Sequence, residues 1–480
     1  MFEKAKYLAA ASAVEYGVQL LVPVYLVRTL SHEDFASYRF LWLLAGSLTG
    51  ILLLGFPASL YYFVPRVGRE RQFGYVAQTA AFCALLGVLA CAALLAVVTA
   101  WPDSDMLRLL PGPLGVFFAF LVLVAATNVL DYLPAARADI KAQAALNLAN
   151  ALLRAACIVA GAWFGSIAAV CWALLAYATA RFVMQSAYVA GSMPLVGGGF
   201  DAARFRAQFA YAAPFGIAGA FWALRSQAEQ WIGAALLSPR EYASLSIALS
   251  ITPIVMLVHQ AITASSVAEV NRLEAEGDVS GMVQINARAN VLSASYLFPV
   301  LVFFFVTAGP LFELVYTASY ADAAMVARLV CIGFVGAAIE VSTLTKALRM
   351  RRAVVLFDAG MLCISVAVSV AGGLAFGLIG VVIGSAVSRY VSMLYFVMIL
   401  VRRTGVPLAR FQRWGELAQY LAAACGAGVV GWVALEWAAS RLGLAGQVAF
   451  ATAAMVAVYV PLARLLRLPL LGFAHGRTLS

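Results

Sequence analysis

Apolar runs of 20 or more residues recur from one end of this chain to the other, parted only by short charge clusters and by Gly and Pro. Coiled as an α-helix, each is long enough to cross a hydrocarbon core of about 30 Å. Of the 480 residues, 64% are hydrophobic and 11% charged, where a soluble domain carries roughly 25% charged residues. A soluble fold cannot hide that much apolar surface, so the chain reads as an all-α integral membrane protein. The run from Ala5 to Leu30, although preceded by Lys4 and Lys6, is too long for the h-region of a cleaved signal and reads as the first span. All seven cysteines fall inside apolar runs and none forms a CxxC pair. They read as small core residues, with neither a disulfide frame nor a metal knuckle indicated.

Fourteen helices are predicted, at about 5–30, 33–63, 73–100, 113–136, 140–164, 167–190, 205–237, 240–270, 282–308, 321–348, 352–374, 377–401, 414–438 and 444–466, with boundary errors of roughly two to four residues. With the N-terminus in the cytoplasm, 21 of the 32 basic residues lie inside and six outside. Arg154, Arg181, Arg225, Arg288 and Arg389 lie within spans. That bias follows the positive-inside rule and places both termini in the cytoplasm. The net charge of +10 therefore sets topology and favours anionic lipid headgroups rather than nucleic acid.

Leu30-Ser31-His32-Glu33-Asp34-Phe35-Ala36-Ser37 recurs as Leu237-Ser238-Pro239-Arg240-Glu241-Tyr242-Ala243-Ser244, an offset of 207 residues. Both are Ser-x-x-acid capping boxes, and each marks the outer start of a helix, the second and the eighth. A weaker echo relates Ala162-Trp163-Phe164-Gly165 and Arg181 to Leu374-Ala375-Phe376-Gly377 and Arg389. Residues 1–200 and 201–405 thus form two parallel six-helix lobes around a central cavity, and 406–480 supplies two additional transmembrane helices and a tail. Paired lobes of this kind rock about the cavity for alternating access.

Charge inside a span is costly and usually faces a cavity or a partner. On the fifth helix Gln143, Asn147, Asn150 and Arg154 share one face. The first helix carries Ser12, Glu15 and Gln19, the fourth Asn128 and Asp131, and the seventh Arg225 and Glu229. The eighth carries His259, Thr263 and Ser266, the tenth Glu340 and Thr343, and the twelfth Ser385, Arg389 and Ser392. These faces predict a hydrated interior. Glycines spaced by four (Gly46/Gly50, Gly161/Gly165, Gly373/Gly377, Gly380/Gly384) predict close helix contacts, and Pro23, Pro57, Pro214 and Pro253 predict kinks.

Enzyme chemistry is not indicated. There is no GxxxxGK[ST] loop, the three histidines lie on different elements, and no connection is long enough for a catalytic domain. Neither a cofactor nor a metal is called for. The segment Leu21-Val22-Pro23-Val24-Tyr25-Leu26-Val27-Arg28-Thr29-Leu30-Ser31-His32-Glu33-Asp34-Phe35-Ala36-Ser37-Tyr38 resembles the first-hairpin signature of the polysaccharide transporter family. This is the Wzx-type flippase group of the multidrug/oligosaccharidyl-lipid/polysaccharide superfamily, which usually has Gly where this chain has Ala36. The resemblance implies export of an undecaprenyl-diphosphate-linked oligosaccharide (O-antigen, capsule or exopolysaccharide unit) across a bacterial inner membrane. The implied partners are the lipid-linked glycan, membrane lipids, and the glycan polymerase and glycosyltransferases of the same pathway. On that reading Arg154, Arg181, Arg225, Arg389, Asn147 and Asn150 are candidate substrate contacts. Glu15, Asp131, Glu229 and Glu340 are candidates to balance them or to carry a coupled ion. The alternatives are a drug/cation antiporter of the same superfamily and a non-transporting subunit of a polysaccharide secretion complex.

Overall fold

The computed structural model describes residues 2–102 and 105–465, with side chains for all of these except 2–10, 105, 258–261, 263–265 and 351–355. His259 and Thr263 of the expected eighth-helix face therefore lie outside the described side chains. Every predicted segment is helical, and no strand occurs among the described residues. The helices are α1 (Phe2–Thr29), α2 (His32–Leu52), α3 (Arg69–Ala100), α4 (Leu114–Ala136), α5 (Ile140–Ala162), α6 (Ile167–Ser192) and α7 (Ala202–Leu236). They continue as α8 (Pro239–Ala248 and Thr252–Glu276), α9 (Val279–Tyr316) and α10 (Ala318–Ala338, with a further turn Ser342–Ala347). The helical run Arg351–Thr404 folds back at Gly377 and makes α11 and α12, followed by α13 (Trp414–Ala439) and α14 (Leu444–Leu465). Among the described residues ten helical stretches are long and apolar enough to cross a membrane, and one of these, Leu356–Thr404, takes in most of α11 and all of α12.

Polar caps fix where the helices begin. Asp139, Ser166, Asp201 and Asp278 each accept a backbone N–H in the first turn of α5, α6, α7 and α9, satisfying a donor that the helix itself cannot. The two related boxes differ in reach. At α8 the Ser238 N–H and hydroxyl both donate to Glu241, at 3.0 and 2.7 Å, and Ser238 Oγ accepts the Glu241 N–H at 3.4 Å. At α2 Ser31 Oγ accepts the Asp34 N–H at 3.1 Å. Asp34, one methylene shorter, bonds the Ser31 hydroxyl and takes the N–H of Ile167 at the start of α6. Ser238→Ala should lower stability by about 1 kcal/mol, read as a fall in the thermal midpoint of the purified protein.

Glycine closes both tight hairpins. Gly165, between α5 and α6, has φ 65°, and Gly377, between α11 and α12, has φ 58°, a region that residues with a Cβ rarely enter. A Cβ on Gly380 would stand 1.9 Å from the Gly372 carbonyl oxygen, and one on Gly384 2.6 Å from the Ser369 Cα. On α11 Gly372 is thus a contact glycine as well. Of the cysteines, Cys83, Cys91, Cys171 and Cys331 are buried, whereas Cys363 and Cys425 are exposed on helix faces rather than in a core. In a chain made for lipid an outward face is as apolar as an inward one, so position within a run does not fix burial.

The chain divides into two compact units, residues 1–243 and 244–480. Packing thus places α7 with the first unit, although the sequence repeat led to the expectation that it belongs to the second lobe. Ser47 of α2 donates to Gln227 of α7 at 2.5 Å and accepts from Trp231 at 3.0 Å. Helices α2, α4, α8 and α10 are discontinuous. α2 passes through a π turn at Leu48–Leu52 and breaks at Leu54 and Gly55, both with positive φ, before a 3-10 turn at Phe56–Ser59. α4 relaxes to a 3-10 turn at Thr127–Asp131, α8 at Leu249–Ile251, and α10 at Val335–Ala338. Pro57 and Pro253 sit at restarts, where a missing N–H leaves no helix bond broken. Backbone of this kind is tolerated at membrane depth only where protein or water satisfies the freed groups.

Candidate functional site

The break in α4 has a local cause. Pro134 brings no N–H and disfavours helix at Leu133. Upstream, the Thr127 hydroxyl bonds back to the Leu123 carbonyl at 2.7 Å. The chain passes through a 3-10 turn at Thr127–Asp131. Arg181 of α6 bridges the two ends of that turn: its Nη2 donates to Asp131 Oδ2 at 2.8 Å and to the Thr127 carbonyl at 3.3 Å. Its Nη1 donates to the Tyr177 hydroxyl at 3.4 Å, and that hydroxyl donates to Asn150 Oδ1 on α5 at 2.8 Å. Asn128 Nδ2 completes the chain at 3.4 Å from Asp131. One connected polar network therefore spans α4, α5 and α6.

A second pair stands beside α2. Arg154 of α5 lies 3.6 Å from Glu15 of α1, with its guanidinium 5.5 Å from the Trp42 ring. The two pairs share an asymmetry: the Arg181 and Arg154 side chains are 8% and 17% exposed, but Asp131 and Glu15 are 42% and 41% exposed. A carboxylate that open within a span requires water or another polar group against it. The rest of the α5 face is occupied locally. Gln143 donates to Asn147 at 2.7 Å and accepts the Ala135 N–H at 3.1 Å, tying the α4–α5 turn.

In the second unit Glu340 occupies the gap between the two parts of α10. Its carboxylate accepts the Ser342 N–H at 2.5 Å and the Thr343 hydroxyl at 3.2 Å. Asn290 of α9 replaces the missing helix partners, accepting the Glu340 N–H and donating to the Glu340 carbonyl, both at 3.1 Å. Beside this junction is a small pocket, with room for about one water, lined by Ser266, Asn286, Asn290, Ser293, Glu340 and Ile262. Arg389 of α12 donates to Ser385 at 2.9 Å and lies 4.6 Å over the Phe334 ring. Counterparts in the two units fall at nearly the repeat offset. Arg389 follows Arg181 by 208 residues, and Glu340 follows Asp131 by 209. Asp131 lies at the break in α4 and Glu340 at the break in α10. On α7, Glu229 is buried and Arg225 half-buried, one turn apart.

Two polar groups escaped the sequence reading. Asn286, Asn290 and Ser293 have the same four-then-three spacing that marked the α5 face. The other is a glutamine knot. Gln208 of α7 is fully buried, accepts from Gln78 of α3 at 3.1 Å, and donates to Ser59 at 3.1 Å and Thr79 at 3.2 Å. Gln78 in turn accepts the Asp201 N–H at 3.2 Å. Asp201 caps α7 outside the membrane spans, and the Arg204 N–H bonded to its carboxylate holds that carboxyl below the usual range. Gln208→Leu leaves Gln78 and Ser59 short of partners and should cost about 2–4 kcal/mol, measured as loss of thermal stability and of protection of α7 from hydrogen exchange.

The family model described as polysaccharide biosynthesis protein matches residues 1–268, more than half of the 480. The chain belongs to the polysaccharide biosynthesis protein family. No curated protein matches it in sequence. Its fold is similar to that of a lipid II flippase, MurJ, in an inward closed conformation, with TM-score 0.70 and 11% identity, covering 96% of this chain and 99% of that one. It is also similar to an inward-facing multidrug resistance MATE family transporter of the MOP superfamily, with TM-score 0.60 and 13% identity over 82% of this chain and 96% of that one. A further MATE structure, in complex with MaL6, gives TM-score 0.55 at 13% identity, covering 83% and 96%. The chain is therefore a multi-pass membrane member of a polysaccharide biosynthesis family with a transporter fold.

Proposed function

We propose that this chain is a flippase that moves an undecaprenyl-diphosphate-linked oligosaccharide from the cytoplasmic to the outer leaflet of a bacterial inner membrane, by alternating access of two six-helix lobes. The observation that supports this most is the pair of mid-span arginines, Arg181 and Arg154, held by half-exposed carboxylates in a chain of this family and fold. A diphosphate is anionic and cannot cross lipid unaided, and guanidinium matches its oxygens bidentately. On this reading Arg154, Arg181, Arg225 and Arg389, with Asn147 and Asn150, meet the headgroup. Glu15, Asp131, Glu229 and Glu340 are resident counter-charges, and they take up the coupled ion when the headgroup replaces them. Both termini lie in the cytoplasm, and the partners are the polymerase and glycosyltransferases of the same pathway.

The test is reconstitution. Vesicles carrying the purified chain and a labelled undecaprenyl-diphosphate oligosaccharide are treated with a glycosidase that cannot cross the bilayer. Wild type should make all of the label accessible, while empty vesicles stop near half. Uptake of a lipophilic cation with no movement of the labelled lipid would replace this reading by the antiporter. Movement of neither would favour the non-transporting subunit.

A further inference from the structure

The first unit also carries an aromatic surface that neither ion pair explains. Tyr61 and Tyr62, in the short helix Leu60–Phe63 beyond the break in α2, are 47% and 37% exposed, and Tyr211 of α7 is 37% exposed. Tyr62 and Tyr211 stack at 4.4 Å, and Tyr61 packs on Tyr132 at 5.5 Å. Tyr132 directly follows Asp131 in the chain, so the strip begins beside the Asp131–Arg181 pair. It ends at Arg66, whose guanidinium lies 3.6 Å over the Tyr62 ring. The hydroxyls of Tyr61, Tyr62 and Tyr211 make no hydrogen bond to any described residue.

An aromatic face turned to acyl chains would not carry three unbonded hydroxyls and a neighbouring open carboxylate, because each such group is costly in hydrocarbon. An organic cation would suit aromatic rings and a carboxylate, but here an arginine stands at each end of the strip and Arg66 already covers the Tyr62 ring. A sugar satisfies what remains. A pyranose has one face of C–H groups, which match the negative face of an aromatic ring, and a rim of hydroxyls that can pair with tyrosine hydroxyls and Asp131.

We propose that Tyr61, Tyr62, Tyr132 and Tyr211 form a stacking platform for the sugar rings of the cargo, next to the anion-binding arginine Arg181. This rests on the flippase reading and names the part of the substrate that the first unit holds. The test compares two probes with the purified protein: the undecaprenyl-linked glycan fraction extracted from a strain lacking this chain, and sugar-free undecaprenyl diphosphate. Wild type should bind the glycan form more tightly. Tyr61→Leu with Tyr211→Leu should weaken that binding roughly ten-fold and leave binding of the sugar-free lipid unchanged, which also shows that the variant is folded. Tyr61→Phe with Tyr211→Phe, which keeps both rings, should retain most of the preference. Equal weakening for both probes, or no change for the glycan form, overturns the platform while leaving the flippase reading intact. Binding of tetraphenylphosphonium that depends on the same tyrosines overturns it in favour of a cation site. Failure of wild type to bind either lipid removes the flippase reading and the platform with it.

Discussion

Gly216→Ala is expected to destabilise the protein strongly, whereas Gly219→Ala, three residues further along the same helix, is expected to stabilise it slightly. Alanine is the better helix former by about 0.5–1 kcal/mol, so propensity favours both substitutions alike. What separates them is the neighbour. A Cβ on Gly216 would stand 1.7 Å from the Leu54 carbonyl oxygen and 2.7 Å from its Cα, while nothing lies within 4 Å of one on Gly219. The obstacle is backbone at the break in α2, where Leu54 and Gly55 already hold positive φ, and no side chain can swing away. The cost should reach or exceed the upper end of the roughly 1–3 kcal/mol that overpacking usually carries. Thermal midpoints of the two purified variants check this. Equal shifts would mean that α7 does not press on the broken α2.

The second large effect concerns Asp131 and Arg181, and it is directional. Asp131→Ala leaves the guanidinium of a nearly buried Arg181 without its counter-charge, a change expected to cost about 3–5 kcal/mol. Arg181→Ala leaves a carboxylate that is 42% exposed and can still be hydrated, so its cost should be smaller. Asp131→Ala combined with Arg181→Met should recover much of the stability lost in the Asp131 variant. None of the three should transport, because the proposed headgroup contact or its counter-charge is missing in each. Stability by thermal unfolding and transport in vesicles are read on the same preparations. A double variant that moves lipid at the wild-type rate would show that the pair is structural only.

Much of the architecture was legible because the solvent is lipid. Apolar runs mark helices when nothing else can cross, and the Ser31 and Ser238 boxes mark where two of them start. Asp131 and Glu340, 209 residues apart, both sit at helix breaks, a correspondence the short motifs did not state. Those breaks were not read. Pro57 and Pro134 were visible, but whether a proline kinks or ends a helix depends on what catches the freed carbonyl, and that partner is remote. The Thr127 carbonyl accepts from Arg181, 54 residues away; the Glu340 carbonyl accepts from Asn290, 50 residues away. Pairing was likewise beyond the sequence. Arg154 and Glu15 could be named as candidates from their faces, but their meeting is a matter of helix contacts. The tyrosines were passed over because an aromatic residue in an apolar run carries no signal until its exposure is known.

The most direct measurement is made in cells. The gene for this chain is deleted, and undecaprenyl-linked glycans are fractionated by leaflet. The account predicts that a finished glycan unit accumulates on the cytoplasmic leaflet, that wild type relieves this, and that Arg181→Ala or Arg154→Ala does not. A normal lipid-linked pool in the deletion strain, with lost efflux of small cations, would contradict it.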